Sequence, residues 1–196
     1  MEEKTLYLLG LINKLKLVER KTISSSSRFE SSAEHSWSVA MYAWILYSDF
    51  KKEFRDNINE TRLIKMALVH DLVEIKSGDT SVWNKENRVE SEKRDQKYSD
   101  IVFSEFPPEL HQEFTELWNE LEKNQSLEAK IINGLDRFSG AIQRLVTGQG
   151  WIELKATPTD LDIIQLPKIG FSKTLTKLLT ELKTTALNQG LMKEKY

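Results

Sequence analysis

Apolar residues recur at three- and four-residue spacing along almost the whole chain, and that periodicity leaves it few options other than a set of packed α-helices. Helix-interrupting residues are scarce, with 8 glycines and 4 prolines in 196 residues. No stretch shows sustained period-two alternation bounded by Gly or Asn turns, so strands are not expected. The spacing predicts helices over roughly 3–18, 33–50, 59–76, 88–105, 108–123, 127–147 and 168–189, with a short turn near 160–165. Pro107-Pro108 marks a stop and restart: the first proline disfavours helix at Phe106, and the second suits a first helical position. Gly148, Gly150 and Pro158 bracket a loop before the last helix. The expected fold class is all-α, as one domain over 1–196.

Composition narrows the function. The chain carries 28 basic and 30 acidic residues, a net charge of −2, with both signs mixed, which argues against a nucleic-acid polymer as partner. There is no cysteine, so disulfides, thiolate-bound zinc, Fe–S clusters and thiol nucleophiles are excluded. The charged, amphipathic opening lacks the pattern of a signal peptide, and no apolar run approaches the ~20 residues of a membrane span. A soluble cytoplasmic protein with no membrane partner is expected. Two segments read as long polar loops: Arg20 to Ser32, with its Ser24–Ser27 run, and Ser77 to Asn84. A serine run is as readily a plain linker as a functional loop.

Polar residues at inward positions are the most informative feature. Of 3 histidines, His111 lies among charged neighbours and reads as surface. His70 and Asp71 instead interrupt the apolar run Met66–Val73, and Asp71 shares a helical face with Ile64, Ala67, Leu68 and Ile75. A carboxylate is almost never buried without a partner. Glu74 follows one turn later. Ser31-Ser-Ala-Glu34 forms a capping box, placing His35 in the first turn of a helix whose Val39, Tyr42 and Leu46 face the core. Asp136 shares a face with Ile132, Leu135, Ser139, Ile142 and Val146; a salt bridge to Arg137 or Arg144 is an equal alternative for it taken alone. Two imidazoles and two carboxylates from three helices make a nitrogen–oxygen set suited to one divalent metal ion, whether Mn, Co, Fe, Ni, Zn or Mg. The competing reading is a helical interaction protein whose inward acids are ion-paired.

At these residues the chain resembles the HD-domain phosphohydrolases, through His35, the dyad His70-Asp71, and Asp136. Ala33-Glu-His-Ser-Trp37, Met66-Ala-Leu-Val-His-Asp-Leu-Val-Glu-Ile75 followed by Ser77-Gly-Asp-Thr80, Glu128-Ala-Lys-Ile-Ile-Asn-Gly-Leu-Asp136 and Leu15-Lys-Leu-Val-Glu-Arg20 are similar to the branch holding bacterial 5′-deoxynucleotidases and their eukaryotic relatives. The likeness covers about 6–145, and nothing beyond Gly148 resembles the family. It implies a single HD-domain helical bundle, with the motif-bearing part at 6–150, and a homodimer. It implies His35, His70, Asp71 and Asp136 as ligands of one divalent metal, Glu74 and Asp79 as catalytic acids, and Arg20, Lys21, Arg28 and Glu120 as substrate residues. The implied reaction is attack of a metal-bound water on a nucleoside 5′-monophosphate, a small-molecule nucleotide substrate, giving nucleoside and phosphate. Another phosphate ester, such as a cyclic nucleotide or guanosine polyphosphate, and a non-catalytic metal-binding regulatory module are the alternatives. Lys21 departs from the bacterial pattern, which carries tryptophan there, and the Ser24–Ser27 run is also unlike it.

Overall fold

A computed structural model describes residues 2–25, 28–55, 57–79 and 88–195. In chain order these form α1 (Glu2–Asn13) running into a 3-10 turn (Lys14–Leu17), strands β1 (Glu19–Ser25) and β2 (Arg28–Ser31), then α2 (Ser32–Glu53), α3 (Glu60–Val69) and the single turn α4 (Glu74–Ser77). They continue with α5 (Arg88–Phe103), α6 (Pro108–Lys123), α7 (Leu127–Thr147), α8 (Pro158–Ile169) and α9 (Lys173–Asn188). The all-α expectation holds, apart from the small antiparallel hairpin. Among the described residues no helix is long and apolar enough to cross a membrane.

Helix ends follow local chemistry. Pro108 opens α6 at its first turn, and Asn124 ends it in the left-handed region. Ser126 caps α7 by accepting from the Ala129 N–H, and Gly148 closes that helix at φ 69°, a conformation that favours glycine. The capping box at α2 is present as read: Glu34 N–H donates to Ser31 Oγ, and Ser31 N–H donates to the Glu34 carboxylate. Helix α7 lies at the centre and packs against α2, α3, α6, α8, α9 and β1. Val39, Leu63, Met66, Ile131, Ile132 and Leu135, all fully buried, fill the space between α2, α3 and α7. Each such side chain contributes about 1.5–3 kcal/mol on leaving water.

Three expectations need correction. The polar segment 20–32 is a hairpin, with Glu19 paired to Ser31 and Ile23 to Phe29, whereas no strand was expected. Its run of Ser and Thr carries no alternation strong enough to read. What pins it is tertiary: Gln143 Nε2 on α7 donates to the Ile23 and Ser24 carbonyls at 3.0 and 3.1 Å, and Ser32 N–H donates to Val18 O at 2.9 Å. The helix expected over 59–76 stops at Val69. His70 Nδ1 lies 2.7 Å from the Ala67 carbonyl, the acceptor that Asp71 N–H would take in a regular helix, and the chain tightens to three-residue hydrogen bonds from Leu72 onward. The region expected to hold only a short turn near 160–165 is helix α8, started at Pro158 by a capping box of Thr157 and Asp160, and the helix expected over 168–189 begins at Lys173 because the chain breaks at Gly170 before Ser172 caps α9. Ser26 and Ser27 of the first polar segment, and Thr80 to Asn84 of the second, lie outside the described residues.

The C-terminal helix is tied to the frame by one carboxylate. Glu53, at the end of α2, accepts hydrogen bonds from the Lys173 and Thr174 N–H groups and from Ser172 Oγ. Burial alone would raise its pKa, but the hydrogen bonds led by Thr174 hold it below the usual carboxylate value. Its stabilising effect is therefore present above the unfolded pKa and is lost as pH falls through the folded one. Glu53→Ala is expected to cost about 1–2 kcal/mol at neutral pH, with a smaller cost at acidic pH, read as the shift in thermal unfolding of wild type and variant.

Candidate metal centre and adjoining cavity

Four segments converge on one cluster. The first turn of α2 brings His35, the turn after α3 brings His70 and Asp71, α7 brings Asp136, and the hairpin brings Arg20 and Glu30. His35 Nε2 is 2.9 Å from Asp136 Oδ1 and 3.8 Å from Asp71 Oδ2, and His70 Nε2 is 3.3 Å from Asp71 Oδ1. The two imidazoles lie 5.2 Å apart, tilted by 52°. One ligand atom from each of His35, His70 and Asp71 lies within 4.8 Å of the others, the spacing of a metal-binding group. Asp136 pairs with His35 and Arg20, which answers the open alternative of a bridge to Arg137 or Arg144.

The cluster fits a cation. His70 donates from Nδ1 to the Ala67 carbonyl, so its Nε2 presents a lone pair, and that atom is buried without a hydrogen-bond partner. Burial pushes the His70 pKa down, which keeps the ring neutral as a ligand must be. His35 Nδ1 is likewise buried without a hydrogen bond, 3.8 Å from Glu30 Oε2. The Asp136 side chain is 34 % exposed, the most open group of the cluster, and so the most accessible from outside. Its burial is opposed by the His35 hydrogen bond and by Arg20, which hold its pKa well below the ordinary value.

Arg20 is the cationic counterweight. Its guanidinium lies 3.0 Å from Asp71, 3.6 Å from Asp79, 3.7 Å from Glu30 and 3.8 Å from Asp136. Desolvation would lower its pKa, but Asp71, Asp136, Asp79 and Glu74 together keep it raised. Burial raises the pKa of Asp79 and of Glu30, and burial followed by the Asp71 charge raises that of Glu74 well above the ordinary value. Ser32 Oγ donates to Glu74 Oε2 at 2.5 Å, fixing that carboxyl beside the cluster.

The remaining residues implied for substrate are not brought here. Arg28 is exposed and makes a two-pronged pair with Glu34, which its hydrogen bonds hold at a pKa of about 2. Lys21 is exposed, next to inward Arg20 on a strand whose successive side chains face opposite sides. Glu120 is bound to Arg62. Sequence reasoning missed Glu30, which is buried while its neighbour Phe29 is 46 % exposed, the reverse of what polarity suggests. The one available signal is its place just before the capping box that starts the His35 helix. It also missed a cavity of about 120 Å³ that Arg20 and Asp136 line together with Trp151, Leu161 and Gln165 from beyond Gly148.

A family model described as HD domain matches residues 12–164, and the chain belongs to that family. It is 29 % identical over 140 residues to the 5′-deoxynucleotidase HDDC2 of Homo sapiens, a match covering 70 % of this chain and 65 % of that protein. The match thus spans just under two thirds of that relative's length. Over 68 residues, 35 % of this chain and 34 % of the other, it is 35 % identical to the 5′-deoxynucleotidase YfbR of Escherichia coli. It is also similar to a solved structure from Magnetospirillum magnetotacticum described as a predicted metal-dependent phosphohydrolase, with a TM-score of 0.79, 30 % identity and 97 % of each chain covered.

Removing Arg20 leaves buried acids unopposed. Arg20→Ala is expected to cost the metal-free protein about 3–5 kcal/mol of stability. Added Mn or Co should then raise the melting temperature of this variant more than that of the wild type, because the ion supplies the missing positive charge. Equal metal-induced shifts in differential scanning calorimetry would contradict the account of Arg20 as counter-charge.

Proposed function

We propose that the protein is a metal-dependent phosphomonoesterase that hydrolyses nucleoside 5′-monophosphates, deoxyribonucleotides among them, to nucleoside and phosphate. The supporting observation is the convergence of two imidazoles, their neighbouring carboxylates and a mostly buried guanidinium in one cluster, in a chain similar to proteins named 5′-deoxynucleotidases. His35, His70, Asp71 and Asp136 would hold one divalent ion, with Mn, Co, Fe, Ni, Zn and Mg all compatible with a sulfur-free set. Such an ion supplies Lewis acidity and lowers the pKa of coordinated water toward neutrality.

The chain's own residues supply the rest. His70, held by the Ala67 carbonyl, offers Nε2 in a fixed orientation. Arg20 presents the planar fork that pairs with a phosphate, and the surrounding acids keep it charged and in place. Glu74, with its raised pKa, is suited to hold a proton and pass it to the departing 5′-oxygen as the P–O bond breaks and water adds to phosphorus. Asp79, 3.6 Å from Arg20, positions that guanidinium. Arg28 and Glu120 are already paired and take no part in this reading. The absence of cysteine favours direct hydrolysis over a covalent thiol intermediate. The reading extends to a cytoplasmic location and to a homodimer, the latter supported by Trp37, Trp44 and Ile45, which are exposed on α2.

Purified protein loaded with Mn, Co or Mg is expected to release inorganic phosphate from nucleoside 5′-monophosphates, and Glu74→Gln should lower kcat about 10²–10⁴-fold while keeping bound metal. Undiminished kcat in Glu74→Gln would remove its proton-transfer role. An absence of phosphate release from every nucleotide tested would overturn the function.

A further inference from the structure

The cavity beside the cluster is built from three parts of the chain, with Arg20 and Thr22 of β1 at its cluster end. Asp136, Ala141 and Arg144 line one wall along α7; Trp151, Leu161 and Gln165 come from the segment after Gly148. Eight residues separate Asp136 from Arg144, about 12 Å along the helix. That is of the order of the reach from the phosphorus of a nucleoside monophosphate to the far edge of its base. The volume of about 120 Å³ far exceeds the roughly 10–15 Å³ that one water needs on the same measure. It is room for a ring system.

Arg20, Thr22, Asp136 and Arg137 also line this enclosure, and at its far end two polar groups lack partners of the right kind. Arg144 is half-buried, and desolvation lowers its pKa; Glu153 is the acidic group whose charge opposes that shift. Glu153 itself accepts from the Gly150 N–H at 2.7 Å, and among the described residues no hydrogen bond or ion pair is made by the Arg144 guanidinium. The Arg144 guanidinium lies against Gly150, where any Cβ would collide with Nη1, so a glycine at φ 95° is what leaves it room. Gln165 is buried and donates from Nε2 to the Arg137 carbonyl at 3.3 Å, while its Oε1 has no hydrogen-bond partner. At the end away from the cluster the enclosure thus offers the Arg144 guanidinium and the unsatisfied Gln165 Oε1 beside the faces of Ala141, Trp151 and Leu161. A second phosphate, chiefly an acceptor, would leave the Gln165 oxygen unsatisfied and lie against apolar faces, whereas a heterocycle with a ring N–H answers both.

We propose that this cavity receives the nucleobase of the substrate, and that Arg144 and Gln165 select bases carrying a carbonyl beside a ring N–H. Guanine, thymine and uracil present that edge, whereas adenine has no carbonyl and cytosine no ring N–H. The inference rests on the nucleotide-hydrolysing function, and it makes the C-terminal segment a specificity element.

The test has two arms. In the first, kcat/KM is measured with metal-loaded enzyme on dGMP, dTMP, dAMP and dCMP and on 2-deoxyribose 5-phosphate, which has no base. The expected order places dGMP and dTMP above dAMP and dCMP, and all four above the sugar phosphate. Arg144→Met, which keeps the aliphatic arm, and separately Gln165→Met should each lower the ratio of dGMP to 2-deoxyribose 5-phosphate about 10- to 100-fold. In the second arm, deoxyguanosine is titrated calorimetrically into wild type and both variants; binding is expected to wild type and to be lost in the variants, without any chemistry at phosphorus. Equal kcat/KM for nucleotides and sugar phosphate, or an unchanged ratio in both variants, would overturn the assignment. If no substrate is hydrolysed the proposed function fails, and the nucleoside titration then decides the cavity alone: no binding by wild type overturns it.

Discussion

The Arg20 guanidinium, set among Glu30, Asp71, Asp79 and Asp136, is the interaction on which the rest of the centre depends. Four carboxyls brought out of water within reach of one another would repel and protonate, and a cluster of that kind assembles only around positive charge. One arginine on a hairpin strand supplies part of it. The price is local order: Gln143 fixes the hairpin to α7, and the capping box at Ser31 fixes the entry into α2. The two imidazoles are placed by the same devices. The short turn after α3 is created by the ring of His70 taking the Ala67 carbonyl, and it turns Asp71 into the cluster beside it.

The helical frame was legible in the chain because its signals are local and additive. Pro108, Asn124, Ser126 and Gly148 bound α6 and α7 at the positions their chemistry dictates. The inward acids were legible for a different reason, since Asp71 and Asp136 interrupt apolar faces and must find partners. The hairpin was not, because its pairing is held by Gln143 from more than a hundred residues away. Glu30 was hidden by polarity, for the buried member of the Phe29-Glu30 pair is the charged one. The face reading was also imperfect at its edges, where Leu68 and Val146 are exposed. Periodicity describes a regular helix, and it fails where α3 ends and at the solvent-facing end of α7.

The segment after Gly148 shows how a site can extend beyond the motifs that announce it. The family match runs on to residue 164, past Gly148 where the motifs legible in the sequence end, and Trp151, Leu161 and Gln165 close a cavity that opens on Arg20 and Asp136. The residues proposed as metal ligands lie on α2, α7 and the turn after α3, elements fixed by the buried core. The neighbouring wall is made by a turn and by α8, which packs on α7, so a change of wall residues can alter what fits the cavity without moving the cluster.

The central claim is that this cluster holds one divalent ion through His35, His70, Asp71 and Asp136. The direct measurement is metal stoichiometry by mass spectrometry after loading with Mn or Co and desalting, on wild type and on Asp71→Asn, with folding of both checked by circular dichroism. The account predicts one ion per chain in wild type and little retained in the variant. Full retention in folded Asp71→Asn, or no ion in folded wild type, would contradict it.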